Sequence, residues 1–120
     1  MSSPTAAGGS LANNNGSQGV ASLSGPIGRR LRQHHEAVVA AAAAYGVSGL
    51  RVFGSVARGE DRADSDMDLL ADLPPQMSLF RLGRLQAELE EILGARVDLV
   101  PESELKPGVR PNAERDWVEL

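Results

Sequence analysis

The sequence predicts an α/β domain, because short apolar runs alternate with segments of helical periodicity along its 120 residues. Runs at residues 50–53, 67–71 and 96–100 have the length and aliphatic content of β-strands. Apolar residues recur at intervals of three and four between residues 26 and 45, and again between residues 78 and 93. A hydrophobic fraction of 42% is enough for one core, so we expect a single folded domain.

The first helix is predicted to begin after Ser24 or Gly25, with Pro26 in its first turn. Backbone N–H groups in a first turn have no partner within the helix, so proline, which has no N–H, is tolerated there. Its apolar positions are Ile27, Leu31, Val38, Ala42 and Tyr45. Gly46 is expected to end it, because glycine readily adopts the left-handed conformation that closes many helices.

The second long helix has similar start and stop signals. Ser78 is expected to cap its N-terminus and Gly94 to end it. Its apolar stripe consists of Leu82, Leu85, Leu89 and Ile92. The spacing of three and four places these side chains on one face, which is predicted to cover the sheet.

The C-terminal twenty residues are polar and contain two prolines after Pro101, which ends the third strand. A short helical turn and a final helix are predicted there, the helix carrying Trp117, Val118 and Leu120. The predicted order is therefore α-β-(turn or short helix)-β-α-β-α.

Residues 1–24 are rich in Ser, Gly, Asn and Ala, and such a segment buries too little apolar surface to offset its ordering entropy. We expect a disordered tail there and a folded domain over residues 25–120.

The net charge of −4 gives no general attraction to nucleic acid or anionic membranes. The sequence has no cysteine, no signal peptide and no apolar run near the ~20 residues of a membrane span, so we expect a cytoplasmic protein.

Three acidic residues in the predicted strands are candidate metal ligands. Asp66 and Asp68 are two residues apart, so in a strand their side chains point to the same face. Two close carboxylates repel each other unless a cation or proton lies between them. Asp98 interrupts the apolar third strand and joins the pair if that strand lies beside the second. Three carboxylates can hold two Mg²⁺ or Mn²⁺ ions, and Asp98 could accept the proton of an attacking hydroxyl.

Gly54 and Ser55 follow the first strand and open a predicted short helix. Glycine allows the backbone to approach a phosphate closely, free N–H groups attract an anion, and the Ser55 hydroxyl adds a donor. Arg58 lies one turn later and could contact a phosphate as well. The charged run over residues 60–64 is predicted to be a solvated loop beside this site.

Each of these features has a simpler interpretation when taken alone. The Asp66-Met67-Asp68 pattern is also typical of a solvated strand end. Asp98 alone is also typical of a buried acid that pairs with a neighbouring N–H group or arginine. Arg58 alone is typical of a surface charge. Their combination and order, between predicted strands, are more specific than any single feature.

The combined pattern Gly-Ser-x-Ala-Arg-Gly followed by Ser-Asp-x-Asp-Leu, at residues 54–59 and 65–69, resembles the minimal nucleotidyltransferase (MNT) family of the DNA-polymerase-β-like superfamily. The resemblance covers about residues 27–120. It implies a small mixed sheet packed by helices, as in the polymerase-β-like palm, with Mg²⁺ as cofactor and a nucleoside triphosphate as substrate. It assigns the triphosphate to Gly54 and Ser55, and metal to Asp66, Asp68 and, as the third strand acid, Asp98.

Many members of this family are antitoxins encoded beside a HEPN-domain toxin, and they transfer AMP from ATP to a toxin tyrosine. The resemblance therefore implies a protein adenylyltransferase that uses ATP and forms a complex with such a toxin. Two alternatives remain open. One is a small-molecule nucleotidyltransferase of the aminoglycoside-modifying type, which usually needs an added acceptor domain. The other is an antitoxin that neutralises its toxin by binding alone, without catalysis.

Overall fold

The computed structural model describes residues 19–120, which form nine regular elements and two short 3₁₀ turns at Val20–Ser22 and Glu102–Glu104. The elements are α1 (Pro26–Gln33), α2 (His35–Ala44), β1 (Ser48–Phe53), α3 (Ser55–Arg58), β2 (Met67–Asp72), α4 (Leu79–Leu93), β3 (Val97–Pro101), α5 (Arg110–Asp116) and β4 (Val118–Glu119). The predicted α/β class is confirmed, with strands and helices alternating through most of the chain.

The four strands form one mixed sheet in the order β3-β2-β1-β4. β1 pairs antiparallel with both β2 and β4, whereas β2 pairs parallel with β3. The long α4 makes the crossover that a parallel pair requires. β2 is therefore hydrogen-bonded on both sides, and it carries Asp68, while the other acid of the predicted pair, Asp66, directly precedes it.

One face of the sheet carries the main aliphatic core. In β1, Leu50 and Val52 point into it, and in β2 Met67 and Leu69 do the same, as the two-residue repeat of a strand requires. The helices α1, α2 and α4 supply the opposing side chains, which are Ile27, Leu31, Val38, Ala42, Leu82, Leu85, Leu89 and Leu93. The opposite face carries Asp68 and Asp98, together with the fully buried Leu70.

The predicted ends of α4 are confirmed. The Ser78 Oγ accepts a hydrogen bond from the Arg81 N–H at 3.1 Å, and Gly94 has φ 64°, in the left-handed region. The apolar stripe differs at one position from the prediction. Leu93 is buried, whereas Ile92 is half-buried and packs against the edge of the core.

The single N-terminal helix predicted over residues 26–45 is two helices. His34 has φ −112° and ψ 19°, which ends α1 and precedes α2. The predicted apolar positions Ile27, Leu31, Val38 and Ala42 are nevertheless buried. The spacing of apolar residues predicts which face of a helix packs on the core. A single non-helical residue, His34, does not change that spacing, so the pattern does not predict the break.

The predicted final helix carrying Trp117, Val118 and Leu120 is wrong in its extent. α5 ends at Asp116, and Trp117 has extended backbone, with φ −65° and ψ 150°. Val118 then pairs with Val52 in the sheet and is 3% exposed. The open edge of β1 offers unpaired backbone groups and an apolar face, and both favour a strand over another helical turn.

The predicted boundary between tail and domain, at residues 24 and 25, moves toward the N-terminus. Leu23 is fully buried in the main core, directly after the turn Val20–Ser22. Residues 19–24 therefore pack with the domain, while the rest of the predicted tail lies outside the described residues. No helix within residues 19–120 is long and apolar enough to cross a membrane.

Leu89 and Leu79 provide a matched test of the core assignment on one helix. Leu89 is fully buried, whereas Leu79 is 80% exposed. We expect Leu89→Ala to lower the free energy of unfolding by about 2–5 kcal/mol, because it removes buried methyl groups and leaves a cavity. Leu79→Ala should change it by no more than about 0.5 kcal/mol. Urea unfolding followed by circular dichroism measures both, and equal losses would contradict the assignment.

Candidate active site

The candidate site is centred on Asp68, the second residue of β2. In the parallel ladder Asp68 lies directly opposite Asp98, and in the antiparallel ladder it lies opposite Phe53. Its side chain is half-buried, whereas Asp98 is exposed. The second and third strands are neighbours, which is the condition under which Asp98 joins the acid pair. Their register places Asp68 and Asp98 side by side on the face away from the core.

The electrostatics of this cluster show that its negative charges are close together. The pKa of Asp68 is raised above its ordinary value, first by burial and then by repulsion from Asp98 and Asp66. Arg58 acts in the opposite direction, because its positive charge favours the ionised carboxylate. The site thus carries unbalanced negative charge that a cation would stabilise.

Gly54 lies against this cluster at the end of β1. Its backbone has φ 77° and ψ −151°, a conformation open essentially to glycine alone. A Cβ placed on Gly54 would lie 2.6 Å from Oδ2 of Asp68, so a side chain there would collide with the carboxylate. Ser55 begins α3 directly afterwards. The predicted phosphate-binding turn and the predicted metal-binding acid are therefore adjacent in space.

Arg58, at the end of α3, forms ion pairs with two carboxylates outside the acid cluster. Its Nε lies 3.0 Å from Oε1 of Glu60, and its Nη1 lies 3.6 Å from Oδ2 of Asp116, at the end of α5. The side chain remains 43% exposed, so an incoming anion can reach it. The structure places the three predicted elements, acids, turn and arginine, around one region of the sheet.

Asp66 lies just outside β2 and is more exposed than Asp68. Its Oδ1 is 3.8 Å from Nε of Arg96. Across residues 19–120, no three Asp, Glu, His or Cys side chains converge as a complete metal-ligand set. Mg²⁺ usually takes one or two carboxylates and completes its shell with waters and substrate phosphates. The oxygen-only donors of Asp66, Asp68 and Asp98 are of the type that this ion takes, and the metal-binding role of all three stays a prediction.

The sequence predicts that Asp61 lies in a solvated loop, and this prediction is wrong. Its side chain is 7% exposed, and its Oδ2 accepts hydrogen bonds from the N–H groups of Ile27 at 2.6 Å and Gly28 at 3.1 Å. Buried carboxylates need such partners, and the first turn of α1 supplies unpaired donors. Nothing in the local sequence indicates a contact across more than 30 residues.

A cleft of about 440 Å³ lies at the other end of β2, between Ala71–Pro75 and Pro101–Glu104, and none of the predicted site residues line it. At the candidate site itself, Asp98 is exposed and Asp68 is half-buried.

The raised pKa of Asp68 gives a stability prediction with a defined sign. A carboxyl group with a raised folded pKa costs stability once it ionises, and this cost is absent below its unfolded pKa, near 3.9. In EDTA at about pH 8, Asp68→Asn should therefore unfold at a higher temperature than the wild type. The difference should shrink as the pH falls to about 4. Asp64→Asn, an exposed control, should show no such trend, and a lower melting temperature for Asp68→Asn would contradict the prediction.

Comparison with known proteins agrees with this geometry. Residues 31–119 match the nucleotidyltransferase domain family. The protein adenylyltransferase MntA of Thermococcus cleftensis is 45% identical over 74 residues, which are 62% of this chain and 75% of that protein. A Methanocaldococcus jannaschii protein named for the same activity is 37% identical over 76 residues, 63% of this chain and 82% of that protein.

Solved structures resemble the fold as well. A structure described as a minimal nucleotidyltransferase is 44% identical, with a TM-score of 0.69, and the match covers 77% of this chain and 94% of that one. A toxin–antitoxin structure with AMP-PNP has a TM-score of 0.62 over 70% of this chain and 69% of that one, at 16% identity, which supports the fold alone. The sequence matches, together with the Gly54 turn beside Asp68, show that the chain belongs to the nucleotidyltransferase domain family.

Proposed function

We propose that this nucleotidyltransferase transfers AMP from ATP to a hydroxyl group of a partner protein, namely a tyrosine of a HEPN-type toxin, and so acts as an antitoxin. The observation that carries the proposal is the contact of the Gly54 turn with Asp68, which lies in register with Asp98. A turn open to phosphate and two oxygen donors for a divalent cation are the parts that nucleotidyl transfer needs.

In this proposal Asp68 and Asp98, with Asp66, hold one or two Mg²⁺ ions. Bound Mg²⁺ supplies charge neutralisation for the triphosphate, which three carboxylates would otherwise repel. The backbone at Gly54 and the Ser55 hydroxyl contact the phosphates from the other side. Arg58 adds a positive charge when it turns from Glu60 and Asp116 toward the nucleotide.

The acceptor reacts by in-line displacement at the α-phosphorus. Asp98, which is exposed on the sheet edge strand, accepts the proton of the acceptor hydroxyl. The acceptor oxygen forms a bond to the α-phosphorus, while the bond from that phosphorus to the α–β bridging oxygen breaks. The electron pair leaves with pyrophosphate, and AMP remains on the acceptor. Catalysis rests on positioning and charge stabilisation more than on covalent chemistry by the protein.

The identity of the acceptor rests on the relatives. The name of the Thermococcus relative describes a protein adenylyltransferase. One solved MntA–HepT structure shares the fold at 13% identity, with a TM-score of 0.57. Asp98 is exposed, so an acceptor presented by a partner protein can reach it. The proposed antitoxin would then work within a hetero-oligomer with its toxin.

Label transfer from α-³²P-ATP to a co-purified HEPN-type protein tests the proposal. We expect Mg²⁺-dependent labelling by the wild type, and a loss of about 100-fold or more in Asp68→Asn or Asp98→Asn. Asp64→Asn, which keeps the same charge change outside the site, should label normally. Phenylalanine at the acceptor tyrosine should abolish labelling.

Three outcomes would contradict this proposal. Absence of labelling by the wild type would argue against protein adenylylation. Toxin neutralisation that survives Asp68→Asn at full strength would instead favour an antitoxin that acts by binding alone. Labelling of a small molecule by the chain without any protein partner would favour the small-molecule alternative.

A further inference from the structure

Asp61 lies in the loop that joins the phosphate-binding turn to the acid pair. α3 ends at Arg58 and β2 begins at Met67, so this loop leads directly into Asp66. Its other charged residues, such as Glu60, Arg62 and Asp64, are exposed, whereas Asp61 is 7% exposed. A buried carboxylate within an otherwise solvated loop indicates a specific structural contact.

That contact joins the loop to the core through α1. The Oδ2 of Asp61 accepts hydrogen bonds from two consecutive backbone N–H groups, those of Ile27 and Gly28. The Ile27 side chain is fully buried in the main core, which fixes the position of the donors. The carboxylate therefore ties the loop to the first turn of α1, which is itself packed into the core through Ile27.

The carboxylate of Asp61 packs so closely against Gly25 that no side chain fits at position 25. A Cβ on Gly25 would lie 1.8 Å from Oδ1 of Asp61, far inside contact distance. Oδ1 itself is buried and has no hydrogen-bond partner among the described residues. The carboxylate is thus held by Oδ2 alone, packed against bare backbone.

The tether acts on Asp66 through a short closed turn. The Ser65 N–H donates to the Arg62 carbonyl at 3.0 Å, and the Arg62 N–H donates to the Ser65 Oγ at 2.8 Å. This turn begins immediately after Asp61 and ends immediately before Asp66. Asp66 lies between this turn and Met67, the first residue of β2, and its side chain forms an exposed ion pair of 3.8 Å with Arg96.

We propose that Asp61 is a positioning residue that holds Asp66 beside Asp68 for divalent-metal binding, by tethering their loop to the first turn of α1. This inference rests on the proposed function, since it assumes that these acids bind metal. It adds a residue that touches neither metal nor nucleotide and whose effect passes through the Arg62–Ser65 turn.

Mn²⁺ titration followed by electron paramagnetic resonance tests the inference without any enzymatic assay. We expect Asp61→Ala to weaken Mn²⁺ affinity by about 10-fold, as loss of a group that supports a metal ligand typically does. Asp61→Asn should bind Mn²⁺ like the wild type, because its amide oxygen can accept the same two hydrogen bonds. Asp64→Ala, in the same loop, should also bind normally.

Gly25→Ala tests the same tether from the opposite side while leaving Asp61 in place. The added methyl group must displace the carboxylate, so we expect a loss of Mn²⁺ affinity similar to that in Asp61→Ala. This variant decides the question if Asp61→Ala does not fold. Leu89→Ala is destabilised at a distance from the loop, and it should keep wild-type affinity at a temperature where it is folded.

The outcomes separate this inference from the proposed function. Wild-type Mn²⁺ affinity in folded Asp61→Ala or Gly25→Ala would overturn the positioning role and leave a purely structural cap. A loss of affinity in Leu89→Ala, or a failure of Asp61→Asn to restore binding, would overturn it as well. A wild-type chain that binds no Mn²⁺ would overturn the proposed function, and this inference with it.

Discussion

The proximity of like charges at the centre of the sheet is the constraint on which the site depends. β2 is fixed on both sides, by β1 and by β3, and its register sets Asp68 directly opposite Asp98. The backbone positions of the two acids cannot separate without breaking ladder hydrogen bonds. Burial, followed by repulsion from Asp98 and Asp66, raises the pKa of Asp68. The aliphatic core on the other face supplies the stability that holds this unfavourable arrangement, as is common at functional sites.

The turn at Gly54 depends on the same register. Phe53 lies opposite Asp68, so the next residue along β1 must pass over the carboxylate, and glycine alone fits there. The acids and the turn are therefore parts of one geometric unit. The arginine beside them balances part of the charge while remaining paired with Asp116 of α5, which links the unit to the C-terminal segment.

Much of the site could be predicted because its signals are local. The two-residue spacing of Asp66 and Asp68 and the glycine after a strand carry their meaning within a few residues. The pairing of Asp68 with Asp98 needed the parallel neighbour relation, which spacing alone leaves open. The burial of Asp61 could not be predicted either, because its partners are backbone N–H groups more than 30 residues earlier in the chain.

The fold shows the same division. Ser78 and Gly94 mark the ends of α4 because caps act on the adjacent backbone. The strand Val118–Glu119 has only two residues, too few to show an alternating pattern in the sequence. It forms because its backbone pairs with the edge of β1. The break at His34 is likewise invisible to a pattern that reports only the buried face.

Trp117, the sole tryptophan of the chain, stands between α5 and β4, and the Arg51 guanidinium lies 4.8 Å from its ring centroid. Its chain neighbour Asp116 is the residue that pairs with Arg58. Emission excited at the red edge of protein absorption therefore comes from a single indole, which contacts Arg51 and directly follows Asp116, the partner of Arg58. The molecule thus contains an intrinsic fluorophore, with no labelling required, at the junction between α5 and β4.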